Sequence, residues 1–259
     1  MDAWVGIDVA FAKRKRLPVS VCVWEGNRLI PRPVADRGAP VPPRGRGNAV
    51  ALDREAIERF ADETAAYLRE LEMYFGVSIR RIGIDAPSDH KLNALKRRKA
   101  EEALDARGIR CFTTPSADEF AVIREKAQTH LRNGGAEFRL PHANQLWMLV
   151  GFALFERLRR DWECLEVFPQ ATMFMLDASA IHKSKPGGVA AQLKAIARVT
   201  GWPDPPNELL LKTAVHGPVH DGLDAYASAW IAALGVQHRI GLGMPPNDVI
   251  WVPCTGRAV

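Results

Sequence analysis

The residues of this chain whose types and spacing could do chemistry are carboxylates. In the stretch His220-Asp221-Gly222-Leu223-Asp224-Ala225-Tyr226-Ala227-Ser228-Ala229-Trp230-Ile231-Ala232-Ala233, two aspartates stand three residues apart. The stretch reads as a helix opened by Gly217-Pro218, Pro being well tolerated at a first helical position. A helix puts Asp221 and Asp224 on one face, about one turn apart. Ala225, Ala229 and Ala232 keep it thin enough to lie close against a sheet. Two carboxylates facing a sheet repel each other unless something positive sits between them, and a divalent metal takes oxygen ligands. A second reading stays open: Asp221 is a first-turn acid favoured by the helix dipole, and Asp224 is solvated.

Two further acids close short apolar runs. Ala3-Trp4-Val5-Gly6-Ile7-Asp8 and Arg80-Arg81-Ile82-Gly83-Ile84-Asp85 both end in Gly-Ile-Asp. Such runs predict buried strands, and an aspartate at the end of one is expensive to bury unpaired. If the two strands are parallel neighbours, Asp8 and Asp85 meet at one edge. Glu166 lies among Leu165, Val167 and Phe168, where a carboxylate is out of place unless alternation turns it to solvent. Two basic runs flank these segments, Lys13-Arg14-Lys15-Arg16 and Lys96-Arg97-Arg98-Lys99. Either they are solvated faces, or Arg14, Lys15, Arg97 and Arg98 contact phosphate.

The elements that must position these groups follow from periodicity and punctuation. Strands are predicted at 3–10, 19–24 and 28–33. Residues 35–50, dense in Pro, Gly and Arg, predict a mobile, poorly packed surface loop. A helix runs from its cap Asp53 to Gly76, with Ala56, Ile57, Phe60, Ala61, Thr64, Tyr67, Leu68 and Leu71 on one stripe. After the strand ending at Asp85 come a helix over 92–107 and a strand over 110–112. Next is a helix over 117–131, with Ser116 and Glu119 as a capping box. A helix over 144–160, a strand over 163–169, helices over 189–200 and 207–214, and a final strand over 248–253 complete the chain. Three strands, a helix and a fourth strand imply a mixed sheet with crossover helices.

Composition bounds the rest. The 259 residues are 47% hydrophobic and 25% charged, enough for one sizeable core. A net charge of +5 favours a polyanionic partner. Cys22, Cys111, Cys164 and Cys254 are scattered without metal-ligand spacing, as expected of buried free thiols in a reducing compartment. Met1-Asp2-Ala3-Trp4 has no signal-peptide shape, and the apolar run 146–155 is too short for a bilayer. The expectation is a cytoplasmic protein without a membrane partner. His216 and His220 do not make a helical zinc pair, because Gly217-Pro218 separates them.

Taken in order, Asp8, Asp85 and the Asp221/Asp224 pair resemble the acidic constellation of the RNase H-like nuclease superfamily. The Asp-x-x-Asp-Ala-x-Ala pattern at 221–227 is similar to that of Holliday-junction resolvases. Gly-Ile-Asp-Ala-Pro at 83–87, the basic segment 97–102 before Thr-Pro, Leu-Glu-Val-Phe-Pro at 165–169 and Ile-Trp-Val-Pro at 250–253 resemble a narrower family, domain-of-unknown-function family 429. The resemblance implies an α/β fold of RNase H type over 1–259, a mixed central sheet with helices on both faces and helical insertions. It implies a nuclease that hydrolyses phosphodiesters with two Mg²⁺ or Mn²⁺ ions about 3.5–4 Å apart. Asp8 would bridge the ions, Asp85 and Asp224 would each complete one shell, and Asp221 or Glu166 would assist. Nucleic acid is the implied partner. One departure stands out: the family often has an acid after Pro169, and here the residue is Gln170.

Two rival readings remain. A non-catalytic nucleic-acid or protein-binding module could keep the same fold. An actin-like phosphotransferase shares a first-strand aspartate but follows it with a Gly/Thr phosphate loop, where this chain has Val9-Ala10-Phe11.

Overall fold

Short runs of β-branched residues pair into two sheets, and the longer amphipathic segments cover them. The computed structural model describes residues 1–254. The chain opens as a meander, β1 (Asp2–Asp8), β2 (Val19–Glu25) and β3 (Arg28–Pro31). α1 (Arg54–Phe75) crosses over to β4 (Ser78–Asp85). α2 (Lys99–Asp105), α3 (Ala117–Arg132) and α4 (Ala143–Leu158) lead to β5 (Glu163–Glu166). α5 (Pro169–Met175), α6 (Gly188–Thr200), α7 (Leu209–Ala214) and α8 (Val219–Ala233) precede the hairpin β6 (Arg239–Met244) and β7 (Asp248–Pro253).

The main sheet has the order β3-β2-β1-β4-β5, and β6 and β7 form a separate two-stranded sheet. β2 is antiparallel to β1 and β3, whereas β1, β4 and β5 are parallel. The class is therefore α/β with a mixed sheet. Alternation along β1 assigns its two faces. Ala3, Val5 and Ile7 share one core with Phe60 and Leu68 of α1 and Leu146 and Leu154 of α4. Trp4 packs into the opposite core with Tyr226 and Trp230 of α8 and Ile196 of α6. Helices thus cover both faces. No helix among the described residues is long and apolar enough to cross a membrane.

The repeated Gly-Ile-Asp has a steric cause. Gly6 and Gly83 are register partners on β1 and β4, and α8 crosses directly over them. A Cβ on Gly6 would stand 1.8 Å from the Ala225 carbonyl oxygen, and one on Gly83 would stand 2.3 Å from that of Ser228. Both neighbours are helix backbone, so neither can swing away.

Capping follows the sequence. Asp53 accepts hydrogen bonds from the backbone N–H groups of Glu55 and Ala56, and Gly76 ends α1 at φ 62°. Ser116 and Glu119 form the capping box of α3.

Several expectations are corrected. Residues 35–50 are not poorly packed: Ala39, Pro42, Gly45 and Gly47 are buried, and Leu17 and Arg14 donate backbone hydrogen bonds to Pro43 and Gly45 at 2.9 Å each. The segment braces the basic turn at 13–16, and Gly45 lies too close to the Ala12 carbonyl for a side chain. The helix expected over 92–107 is confined to α2, because residues 92–98 turn so that Arg97 and Arg98 bond inward. Residues 110–112 form no strand. β6 was not expected, since Gly241 and Gly243 dilute its strand pattern.

Gly6→Ala is expected to destabilise the fold by about 3 kcal/mol or more, the upper range for overpacking, because the clash is with backbone. Urea denaturation measures it; a loss under about 1 kcal/mol would mean that α8 does not need this close approach.

Candidate acidic site

The site lies at the C-terminal ends of β1 and β4, where α8 crosses them. Parallel pairing in register sets Asp8 beside Asp85, and the glycine contacts bring α8 down onto the same edge. Asp8, Asp85 and Asp224 each offer a carboxylate oxygen, and the three oxygens lie within 4.8 Å of one another. Neither Asp8 nor Asp85 has a side-chain hydrogen-bond donor among the described residues. Asp221 and Asp224 are 5% and 3% exposed, which overturns the solvated reading of Asp224.

Crowding and burial show in the acid strengths. Burial pushes Asp8 up to about 8, and the charges of Asp85 and Asp221 add to the shift. Burial likewise pushes Asp85 up to about 7, with Lys183 opposing the shift and Glu166 and Asp221 reinforcing it. Two ammonium groups offset part of the repulsion. Lys15, from the turn braced by residues 42–47, forms an ion pair with Asp221. Lys183, from the segment between α5 and α6, forms one with Asp224.

Glu166 sits at the end of β5 in a closed network of its own. Arg98 grips it with two hydrogen bonds of 2.8 and 2.7 Å, and the Ser88 backbone N–H donates a third at 2.8 Å. The same guanidinium bonds Asp248 of β7 at 3.1 Å, and Asp248 accepts from the backbone N–H groups of Lys99 and Ala100 at the start of α2. Burial raises the Glu166 pKa, and Arg98 opposes the rise.

Of the nine residues singled out in the sequence, the structure brings Asp8, Asp85, Asp221 and Asp224 together with Lys15. Glu166 is adjacent but tied to Arg98. The expectation that Arg98 reaches out to nucleic acid is corrected: it is 2% exposed and lies between Glu166 and Asp248. Arg97 turns to Asp105 at 2.5 Å and Glu101 at 3.4 Å, so its guanidinium staples α2. Arg14 remains exposed, at a left-handed φ of 67°.

Sequence reasoning missed Lys183 and Asp248. Lys183 lies in the segment between α5 and α6, and a residue brought in by a loop leaves no periodic signal. Asp248 opened the final strand, where an acid was unremarked. Gln170, at the start of α5, borders a small cavity with Lys183 and Asp224, so this departure from the family pattern lies at the acidic site.

Two outcomes test the site. Arg98→Met is expected to cost about 3–5 kcal/mol of stability, because it leaves Glu166 buried without its partner. A change within about 0.5 kcal/mol in urea denaturation would reject the closed network. The second outcome concerns pH. Because the folded pKa values of Asp8 and Asp85 stand above the usual 3.8, the metal-free fold holds protons that the unfolded chain releases. Their contribution to stability is full below about pH 4 and is lost as pH rises toward 8. Thermal melts of wild type against Asp8→Asn, without metal, are expected to diverge over that window, with Asp8→Asn the more stable at pH 8. Parallel curves would place Asp8 outside the cluster.

No curated protein and no solved structure matches the chain. A family model described as a protein of unknown function, DUF429, matches residues 35–246, and the chain belongs to that family.

Proposed function

We propose that this protein is a metal-dependent nuclease of RNase H type that hydrolyses phosphodiester bonds. The observation that carries the reading is the set of three carboxylate oxygens within 4.8 Å, two of them on side chains without a hydrogen-bond donor. Hard oxygen donors in this number suit Mg²⁺ or Mn²⁺, which keep further positions for water and phosphate. Asp8, Asp85 and Asp224 would hold the ion. When bound, such an ion supplies Lewis acidity toward a phosphate oxygen and lowers the pKa of water. The chain's own part is placement. β1 and β4 fix Asp8 and Asp85 in register, and α8 sets Asp224 against them. The order β3-β2-β1-β4-β5, with β2 antiparallel, supports the RNase H-type reading of the fold.

A polyanionic substrate fits the charge of +5 and the exposed Arg14, which precedes Lys15 in the chain. Cys22, Cys111, Cys164 and Cys254 are free thiols, in keeping with a reducing, cytoplasmic setting, although only Cys22 is buried as expected, Cys111 and Cys164 being half-buried and Cys254 exposed.

Single- and double-stranded RNA, DNA and hybrid substrates are to be incubated with Mg²⁺ or Mn²⁺. Cleavage of at least one is expected, with a loss of at least about 10³-fold in Asp8→Asn, the size of effect that removing a key electrostatic group has elsewhere. Cleavage that survives chelation, or is equal in Asp8→Asn, rejects the reading. Arg14→Glu is expected to weaken nucleic-acid binding and to lower the salt slope by about one. An unchanged slope returns Arg14 to a solvated turn.

Metal also has a folding signature. With a dissociation constant of about 1 mM, ~10 mM Mg²⁺ stabilises the folded state by roughly 1.4 kcal/mol. That corresponds to a rise of about 3–6 °C in Tm, which Asp8→Asn should abolish. An Asp8→Asn protein that keeps the wild-type Mg²⁺ response would exclude Asp8 as a ligand.

A further inference from the structure

The acidic site carries its own cations. Asp8, Asp85, Asp221 and Asp224 bring four carboxylates to one edge, and Lys15 and Lys183 bring two ammonium groups into ion pairs with them. With every group ionised, the cluster holds two negative charges, which one divalent ion neutralises. The two lysines are not equivalent. Lys15 pairs with Asp221, which lies outside the set of three converging oxygens. Lys183 pairs with Asp224, which belongs to that set.

Asp224 has a side chain only 4% exposed, and a carboxylate so buried requires a positive partner. Lys183 is that partner, and its own side chain is 27% exposed, so it enters the site from the surface. The charge of Lys183 also reaches the other two acids, lowering both Asp8 and Asp85 against the effect of burial. Neutral Gln170 borders the same small cavity, together with Ser179, His182 and Gln192. Among the described residues lining that cavity, Asp224 is the one carboxylate.

We propose that the Lys183 ammonium fills the place of a second metal ion, so that Asp8, Asp85 and Asp224 would hold a single divalent ion while Lys183 stays paired with Asp224. This rests on the metal-dependent reading above and replaces the two-ion expectation taken from the family resemblance. A second dication on Asp224 would have to displace Lys183 or sit against its charge.

The test is ion stoichiometry, which does not depend on turnover. Metal-free wild type, Lys183→Met, Lys15→Met and Asp8→Asn are titrated with Mn²⁺, and the free ion is read by electron paramagnetic resonance. Wild type and Lys15→Met are expected to bind one equivalent, Lys183→Met two, and Asp8→Asn less than a tenth as tightly as wild type. Two equivalents in wild type overturn the role of Lys183 while leaving the metal site standing. One equivalent in both wild type and Lys183→Met overturns it as well. A wild-type chain that binds no Mn²⁺, or an Asp8→Asn that binds as wild type does, overturns the metal-dependent reading and this inference with it. Should Lys183→Met fail to fold without metal, Lys183→Gln takes its place, and the wild-type count alone still decides between one ion and two.

Discussion

The structure depends on one close contact, the seating of α8 on the backbone of β1 and β4. Helix and sheet normally stay apart by the width of their side chains. Here the strands present Gly6 and Gly83 at neighbouring positions, and the helix presents Ala225, Ser228 and Ala229. Removing Cβ atoms from the strands costs entropy in the unfolded chain and gives up local strand propensity. What is gained is reach. An aspartate side chain is short, so Asp224 converges with Asp8 and Asp85 only if its helix lies this close. With α6 and α7 packed on its other side, every residue of α8 from Asp221 to Ala232 is buried, and the Tyr226 hydroxyl donates to the Leu29 carbonyl at 2.8 Å.

Once the acids are buried together, charge becomes the second constraint, and the molecule meets it in two ways. Glu166 and Asp248 share one guanidinium in a geometry that satisfies both, with backbone N–H groups completing the shells. That network is closed and ties β5, β7 and α2 into one unit. The aspartates of the acidic site are left open: their lysines reach two of the four, and Asp8 and Asp85 keep bare oxygens. A fold that needed only stability would favour the closed solution throughout, since unpaired buried carboxylates are costly. Leaving one cluster open beside a closed one is the contrast on which the proposed cation site rests.

Local signals in the sequence were legible because each has a local cause. The caps at Asp53 and Ser116, the left-handed stop at Gly76 and the apolar runs ending at Asp8 and Asp85 depend only on near neighbours. The acid cluster was legible through a coarser rule, that parallel strands bring their C-terminal ends together. What stayed hidden depends on contacts far apart in the chain. The run at 96–99 looked like a solvated face, but Arg98 is drawn inward by Glu166, 68 residues away. Residues 35–50 looked loose by composition, yet their backbone pairs with the 14–17 turn. Lys183 lies in a segment of no pattern, and only the position of Asp224 gives it meaning.

The origins of the charges divide by element, and the division bears on how the site works. All four aspartates come from regular elements: half-buried Asp8 and Asp85 end strands β1 and β4, and buried Asp221 and Asp224 lie on α8. Both lysines come from connecting segments at the surface, one braced by residues 42–47 and the other between α5 and α6. Rigid elements hold like charges at fixed distances, as electrostatic preorganisation requires. Flexible four-carbon side chains bring the compensating charges, and such groups can shift by ångströms at little cost. The negative charge of the site is therefore set by rigid elements, while its positive charge can adjust, as the proposed function would require. An arginine at either lysine position would bring a wider, planar cation with a fixed fork, suited to closing a pair as Arg98 does and less suited to yielding one. The chain places arginine where the network is closed and lysine where it is open.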